Sequence, residues 1–237
     1  MPIPPVKALL FDVFGTVVDW RSSVAREIEA LNRAKGLSLD AIGFAVAWRA
    51  LYQPGMAKVR SGERPWVKLD LLHRENLDIL LDRFAVHGLS EVERAHLNRA
   101  WHRLDPWPDS VVGLTRLKAK FILGTCSNGN VALMVNMAKY ARLPWDVILG
   151  IEPAQAYKPQ PECYLRSCAF LDLPPDACML VAAHNSDLVA ASKCGLRTAF
   201  VRRPVEHGPD QSTDLKAEHA FDVVAESFID LAGKLAG

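Results

Sequence analysis

The most constraining feature of this sequence is a short apolar run near the amino terminus that ends in one carboxylate. Residues 7–11, Lys-Ala-Leu-Leu-Phe, are typical of a buried parallel strand, and Asp12 follows them directly. Gly15 allows the chain to turn away from the sheet, and Thr16 places a hydroxyl beside the carboxylate. Because open α/β sheets bind ligands at the carboxyl ends of their strands, we expect Asp12 to face a pocket. Asp and Thr also cap ordinary turns, so this stretch alone is compatible with either role.

Strand and helix patterns alternate along the second half of the chain. Further strands are predicted over residues 121–127, 147–150, 177–182, 198–201 and 221–225. The predicted helices cover residues 109–118, 130–140, 162–171 and 187–193, and a last one starts at 227. This alternation predicts an α/β fold built on a doubly wound parallel sheet.

The residues between the first strand and this alternating region are predicted to be helical. The four helices are a first one from Ser22 or Ser23 to Lys35, a second opened by Asp40 and stopped by Pro54-Gly55, a third over residues 65–84, and a fourth after a capping box at Ser90. About 90 helical residues are too many for a crossover connection. We therefore predict a core domain of residues 1–20 and 105–237 with an inserted helical domain of residues 21–104.

Composition excludes several classes of function. The 237 residues carry a formal net charge of +1, with no basic block, so neither nucleic acid nor a membrane surface is an expected partner. No apolar run approaches the length of a membrane span, and the amino terminus has no signal pattern. The five cysteines form no CxxC pair, which predicts reduced thiols and a cytoplasmic protein.

Polar residues follow three further predicted strands. Ser127 and Asn128, then Lys158, then His184 and Asp187 stand at strand ends or in the loops beyond them. Each group has an ordinary explanation as a turn, a solvated lysine or a helix cap. Because all of them belong to one edge of one sheet, together with Asp12, we predict a single pocket that contains them.

These residues, in this order, resemble the haloacid dehalogenase superfamily. The chain is similar to the L-2-haloacid dehalogenases of type II in the stretch from Asp12 to Trp20, in Trp48-Arg49, and in Tyr157-Lys158-Pro159 followed by Tyr164. The resemblance covers residues 7–200. It implies a Rossmannoid core with a helical cap domain, and hydrolysis of short L-2-haloalkanoic acids to D-2-hydroxy acids through an aspartyl ester.

The resemblance also implies a role for each site residue. Asp12 is the expected nucleophile and Asp187 the expected base that activates water. Arg49 and Asn128 are expected to hold the leaving halide, while Ser127 and the backbone amide of Phe14 hold the substrate carboxylate. The supporting residues are expected to be Thr16, which positions the nucleophile, Lys158, which keeps it ionised, and Tyr164, which steadies the network. The candidates for an apolar wall are Trp20, Trp48 and Trp66.

Two positions depart from related patterns. Superfamily phosphatases carry an acid two residues after the nucleophile, where this chain has Phe14, and the loop before Asp187 supplies no further carboxylate for Mg²⁺. We therefore expect neither a metal nor a cofactor. His184 stands where the dehalogenases typically have Asn, so it could orient the water or act as a base itself.

Three other functional hypotheses remain compatible with the sequence. They are a phosphatase of the same superfamily acting on a small phosphate ester, a binding protein on the same scaffold, and a structural protein with capped turns. The expected partners of the dehalogenase are the haloacid and the halide ion, and the helical domain would allow a homodimer.

Overall fold

The computed structural model describes residues 5–236, and its centre is a five-stranded parallel sheet. The strands are β1 (Ala8–Phe11), β4 (Ile122–Thr125), β5 (Cys178–Ala182), β6 (Arg197–Val201) and β7 (Val223–Ala225). They lie in the order β4-β1-β5-β6-β7, and every neighbouring pair is parallel. Strand β1 is completely buried because β4 and β5 flank it on both sides. The predicted α/β class and parallel sheet are confirmed.

Helices join these strands, as expected for a doubly wound sheet. In the core they are α6 (Ser110–Lys118), α7 (Val131–Ala141), α8 (Ile151–Ala154), α9 (Pro161–Ala169), α10 (Asn185–Lys193) and α11 (Phe228–Ala236). Helices α6 and α11 pack closely together. The backbone and Cβ of Phe228 lie against Gly113, where an added Cβ atom would come within 2.4 Å of the Cβ of Phe228.

Helices also fill the segment between β1 and β4. They are α1 (Trp20–Lys35), α2 (Ala41–Ala50), α3 (Tyr52–Arg60), α4 (Leu69–Arg83) and α5 (Glu91–Asn98), followed by a short 3₁₀ turn. They pack mainly on one another, with α2 between α1 and α4. The predicted capping box at Ser90 is present, because its hydroxyl accepts from the backbone of Glu93 and the Glu93 carboxylate accepts in return.

The division into core and cap stays a prediction. It assigned residues 1–20 and 105–237 to the core and 21–104 to the cap, and residues 1–4 and 237 lie outside the described part of the chain. A two-stranded antiparallel ribbon of β2 (Val18–Asp19) and β3 (Asp105–Pro106), which the sequence analysis did not predict, stands where the chain leaves and re-enters the core.

The prediction of a strand over residues 147–150 is wrong. Only isolated bridges join Val147 to Gly124 and Gly150 to Ser127. The hydroxyl of Thr125 donates to the Leu149 carbonyl at 2.8 Å and accepts from the Leu149 amide at 3.0 Å. A side chain therefore satisfies backbone groups that would otherwise pair in a ladder.

Two helix ends also differ from prediction. Helix α1 begins at Trp20, because the Asp19 side chain caps it by accepting from the Ser22 amide at 3.0 Å. Pro54 and Gly55 do not stop a helix, since both lie within α3. Pro54 is the third residue of that helix, where its missing N–H has no partner to lose.

Candidate active site

Loops that follow β1, β4 and β5 meet at one edge of the sheet and line a cavity of about 420 Å³. Helix α2 covers the cavity from the helical segment. Eight of the predicted site residues line it: Asp12, Phe14, Arg49, Asn128, Lys158, Tyr164, His184 and Asp187. Within residues 5–236, no helix has both the length and the apolar character needed to span a membrane.

Asp12 is a buried carboxylate whose two oxygens have different surroundings. Its Oδ2 accepts from Thr16 Oγ1 at 2.7 Å and lies 3.1 Å from His184 Nδ1, whereas Oδ1 has a longer contact of 3.3 Å with Lys158 Nζ. Thr16 is oriented for donation because its own oxygen accepts from the Ala183 amide at 2.9 Å. Burial by itself would raise the pKa of Asp12, but Lys158, His184 and Thr16 lower it far below the usual range. Asp12 is therefore an anion at neutral pH, with Oδ1 the freer oxygen.

Lys158 connects Asp12 to Asp187. Its Nζ lies 2.6 Å from Asp187 Oδ2, and the hydroxyl of Tyr164 donates to Asp187 Oδ1 at 2.6 Å. Burial opposes the charge of Lys158, but the two carboxylates raise its pKa well above the ordinary value. The backbone amide of Lys158 donates to Asn128 Oδ1 at 2.9 Å, and the following bond to Pro159 is cis. The side-chain oxygen of Asn128 is thus already engaged, which leaves its amide nitrogen as the donor.

His184 lies between two carboxylates. Its Nε2 is 2.8 Å from Glu206 Oε2, and its Nδ1 faces Asp12 as described above. Although burial favours the neutral ring, Glu206 and Asp12 raise the pKa of His184 well above its ordinary value. The charge of His184 in turn overcomes the effect of burial on Glu206 and lowers the pKa of that carboxyl.

Arg49 reaches the cavity from α2 and is surrounded by aromatic rings. Its guanidinium carbon lies 4.1 Å from the ring centre of Tyr52, 5.5 Å from that of Trp20 and 5.8 Å from that of Phe14. Its Nη1 atom is buried without a hydrogen-bond partner in the described residues 5–236. A buried cationic donor without an acceptor is costly, so this geometry suits an anion that enters the cavity.

The other predicted site residues do not line the cavity. Thr16 acts from behind, through Asp12, and the buried hydroxyl of Ser127 accepts from the Gly129 amide at 3.2 Å. Trp20 lies next to Arg49 and donates from Nε1 to Glu206 Oε1 at 3.0 Å. Trp48 is fully buried and donates to the His73 carbonyl at 3.1 Å. Trp66, in the connection between α3 and α4, has a buried Nε1 without a partner among the described residues.

Several residues of the site were not predicted, and three of them adjoin its charged groups. Tyr52 lines the cavity at the start of α3, and Glu206 and His207 come from the loop after β6. The signal for the last two was available, since a polar loop at the carboxyl end of another predicted strand belongs to the same sheet edge. Tyr52 had no such signal, because it lies in the helical segment, where no strand end marks the site.

The acidic groups of the site already have partners. Asp12 and Asp187 share Lys158, and Glu206 accepts from Trp20 and faces His184. In the described part of the chain, the one trio of His and acidic groups near enough to share an ion is His184, Glu206 and His207. Both nitrogens of His184 face carboxylates, so we assign no metal ion to this trio.

Known proteins resemble the chain over nearly its whole length. The family model of the haloacid dehalogenase-like hydrolases matches residues 6–195. A defluorinating L-2-haloacid dehalogenase of known crystal structure is 50% identical, with a TM-score of 0.96 over 98% of this chain and 96% of its own. A second L-2-haloacid dehalogenase is 48% identical, with a TM-score of 0.95 over 98% and 99% of the two chains.

A curated relative of lower sequence identity is also a 2-haloacid dehalogenase. The (S)-2-haloacid dehalogenase 1 of Pseudomonas sp. (strain CBS-3) is 26% identical over 210 residues, which are 84% of this chain and 86% of the relative. The resemblance expected from the sequence is thus confirmed. With a family model matched from residue 6 to residue 195, this chain belongs to the haloacid dehalogenase-like hydrolases.

Proposed function

We propose that this protein hydrolyses short L-2-haloalkanoic acids to D-2-hydroxy acids through an ester on Asp12. The observation that carries the proposal is the pairing of two groups in one cavity. Asp12 is an ionised carboxylate with one lightly engaged oxygen, and Arg49 has a buried Nη1 that lacks an acceptor among residues 5–236. The first is suited to attack a carbon atom, and the second to receive the departing halide.

In the first step, Oδ1 of Asp12 attacks the halogen-bearing carbon. The new carbon–oxygen bond forms as the carbon–halogen bond breaks, and the halide leaves with the electron pair toward Arg49 and the amide nitrogen of Asn128. Displacement from the side opposite the leaving group inverts the carbon, which gives the D product from the L substrate. Lys158 supports this step because it keeps Asp12 ionised.

In the second step, water attacks Cγ of Asp12 and releases the hydroxy acid. Oδ2 becomes the carbonyl oxygen of the ester, and Thr16 donates to it as negative charge develops. Two side chains near this carbon are candidate acceptors of the proton from water, Asp187 and His184.

Phe14 argues against phosphate transfer. It occupies the position where superfamily phosphatases carry the acid that protonates the leaving alcohol, and its ring is only 2% exposed. A halide needs no proton to leave, so a phenyl ring is tolerated at that position. Its packing against Tyr52, with ring centres 6.4 Å apart, also helps to shape the halide end of the cavity.

We extend the proposal to fluoride as a leaving group, because the relative with 50% identity is a defluorinating L-2-haloacid dehalogenase. Fluoride accepts stronger hydrogen bonds than the other halides, and Nη1 of Arg49 has no acceptor in the described part of the chain. The homodimer stays a prediction, which sedimentation analysis would test. All five cysteines are free thiols, and the cytoplasmic location stays a prediction.

The test is halide release from the separate enantiomers of 2-chloropropanoate, with fluoroacetate as a further substrate. We expect chloride only from the L enantiomer and D-lactate as the product, measured by chiral chromatography. A parallel assay with p-nitrophenyl phosphate and Mg²⁺ tests the phosphatase reading. Phosphate release without halide release would overturn the proposal.

A further inference from the structure

A continuous chain of hydrogen bonds runs from Glu206 through His184 to Asp12. The distances are 2.8 Å between Glu206 Oε2 and His184 Nε2, and 3.1 Å between His184 Nδ1 and Asp12 Oδ2. An ionised carboxylate accepts hydrogen bonds and donates none, so each ring nitrogen carries a hydrogen in the free enzyme. His184 therefore begins the reaction as an imidazolium ion between two anions.

Glu206 is held in place from three sides. Oε1 accepts from the indole of Trp20 at 3.0 Å, while Oε2 faces His184. The carboxylate also lies against Gly15, where a Cβ atom would come within 2.0 Å of Oε1. With its side chain 1% exposed, Glu206 keeps its contact with His184 whether or not Asp12 carries a substrate.

Asp187, the base expected from the resemblance, is less free to accept a proton. Its Oδ2 lies 2.6 Å from the ammonium group of Lys158, and its Oδ1 accepts from Tyr164 at 2.6 Å. Protonation of Asp187 would leave the buried charge of Lys158 with less compensation, which is costly in such a site.

We propose that His184, positioned by Glu206, is the base that activates water for ester hydrolysis, and that formation of the ester on Asp12 releases His184 for this role. The proposal rests on the proposed function. Esterification removes the negative charge of Asp12, so one of the two anions that hold the proton of His184 disappears. Nε2 remains bonded to Glu206, and Nδ1 loses its proton to solvent through the cavity and presents its lone pair to water.

The protons balance over the cycle. Water adds to Cγ of Asp12 and gives one proton to Nδ1 of His184, and the oxyanion forms on Oδ2. When the intermediate collapses, the departing alkoxide takes that proton and leaves as the hydroxy acid. The regenerated Asp12 carboxyl group then transfers its proton to Nδ1, which restores the starting state. One turnover yields the hydroxy acid, a halide ion and one proton in solvent, as the overall hydrolysis requires.

The charged groups around His184 determine whether its ring carries one proton or two. Asp12 and Glu206 contact it directly, Lys158 and Asp187 face it across the cavity, and Arg49 and His207 act on Glu206. Of these groups, only Asp12 changes its charge when the ester forms. The structure therefore links the covalent step to the proton state of His184 without any movement of the chain.

The test separates ester formation from ester hydrolysis by rapid quenching and intact-protein mass spectrometry with L-2-chloropropanoate. His184→Ala should still form the ester but accumulate it, with hydrolysis slower by about a hundredfold, on the scale of losing a general base. Glu206→Gln should slow hydrolysis by at least about tenfold and shift its pH midpoint downward, an effect that a purely structural role would not produce. Glu29→Gln, an exposed site, is the matched control.

The pH dependence of ester hydrolysis shows whether His184 acts as a base or as a hydrogen-bond donor. If it is a base, ester hydrolysis in the wild type rises with pH and then levels off. A rate that falls with rising pH would show that the imidazolium donates to the oxyanion, and it would overturn the proposal. The proposal also fails if Asp187→Asn accumulates ester while His184→Ala does not. Absence of both ester and halide release in the wild type would instead overturn the proposed function.

Discussion

The guanidinium carbon of Arg49 lies 5.8 Å from the ring centre of Phe14, so a cation from α2 covers the residue two positions after Asp12. The two residues are far apart in sequence and approach each other across the cavity. The proposed nucleophile, Asp12, and the proposed halide site at Arg49 thus belong to different parts of the chain, and the proposal requires the attacked carbon to lie between them.

Replacement of Arg49 by lysine tests the halide site. Lysine keeps the charge but loses the planar group of donors, so we expect turnover to fall by about a hundredfold, the scale of one positioned electrostatic group. The fall should be greater for chloride than for bromide, because the poorer leaving group needs more stabilisation. Steady-state halide release with both substrates measures the effect.

The exposed Arg33 provides the control for this substitution. Arg33→Lys should leave both rates unchanged. Ester hydrolysis in Arg49→Lys should also stay close to normal, because the halide has gone before water attacks. Ester accumulation in this variant would place Arg49 in the second step instead of the first.

Heavy-oxygen water tests the covalent route through Asp12. In a single turnover with enzyme in excess, the label should enter Asp12 and not the product, since water attacks Cγ of the ester. Peptide mass spectrometry locates the label. Asp12→Asn should be inactive when freshly prepared. Label that appears first in the hydroxy acid would mean that water attacks the substrate directly.

Chelation should leave dehalogenation unchanged. The acidic groups at the cavity are engaged with Lys158, His184 and Trp20, and Mg²⁺ would need several of their oxygens at once. Halide release before and after dialysis against EDTA measures this. Loss of activity that added Mg²⁺ restores would contradict the assignment of the site as metal-independent.

Much of the core was predictable because it depends on local patterns. The buried residues of β1 and β5 form apolar runs, and the chemistry at their carboxyl ends follows from the parallel arrangement. The strand predicted around Leu149 failed because Thr125 bonds to its backbone through a side chain, which no hydrophobic pattern reveals.

The site was predictable only in part. Lys158 and Asp187 follow from their loops, whereas the role of Arg49 came from the resemblance, since no periodicity indicates where α2 packs. Glu206 was missed although its loop follows a predicted strand. Its importance depends on a long-range contact with Trp20 and a gap beside Gly15, and both exist only in the folded chain.

The raised pKa of His184 predicts a pH-dependent contribution to stability. Because the folded pKa exceeds the ordinary value of 6.5, the contribution is fully present below that pH and is lost as pH rises through the folded value. The free energy of unfolding of the wild type, relative to His184→Asn, should therefore decrease toward alkaline pH. The slope should not exceed about 1.4 kcal/mol per pH unit, the value for one proton.

Urea denaturation at a series of pH values measures this difference. His87 is exposed, so His87→Asn serves as the control and should show no such trend. A difference between the wild type and His184→Asn that grows toward alkaline pH would mean that His184 is neutral in the folded free enzyme.

Gly15→Ala tests whether the Glu206 carboxylate needs the space beside Gly15, in the loop after β1. Gly15 has a φ of +85°, and an added Cβ would meet the Glu206 carboxylate, which must then leave Trp20 and His184. We expect two costs, backbone strain and the loss of charged hydrogen bonds, the second about 2 kcal/mol. Gly62 has a similar φ of +77° with nothing within 4 Å, so Gly62→Ala measures the strain alone.

A double-mutant cycle separates the two costs. In a Glu206→Ala background the carboxylate is absent, and the cost of Gly15→Ala should fall to that of Gly62→Ala, measured as the free energy of unfolding in urea. Gly15→Ala alone should also slow ester hydrolysis, because the displaced Glu206 no longer positions His184. Equal costs of Gly15→Ala in both backgrounds would mean that the carboxylate and Gly15 do not compete for this space, and that some other contact requires glycine there.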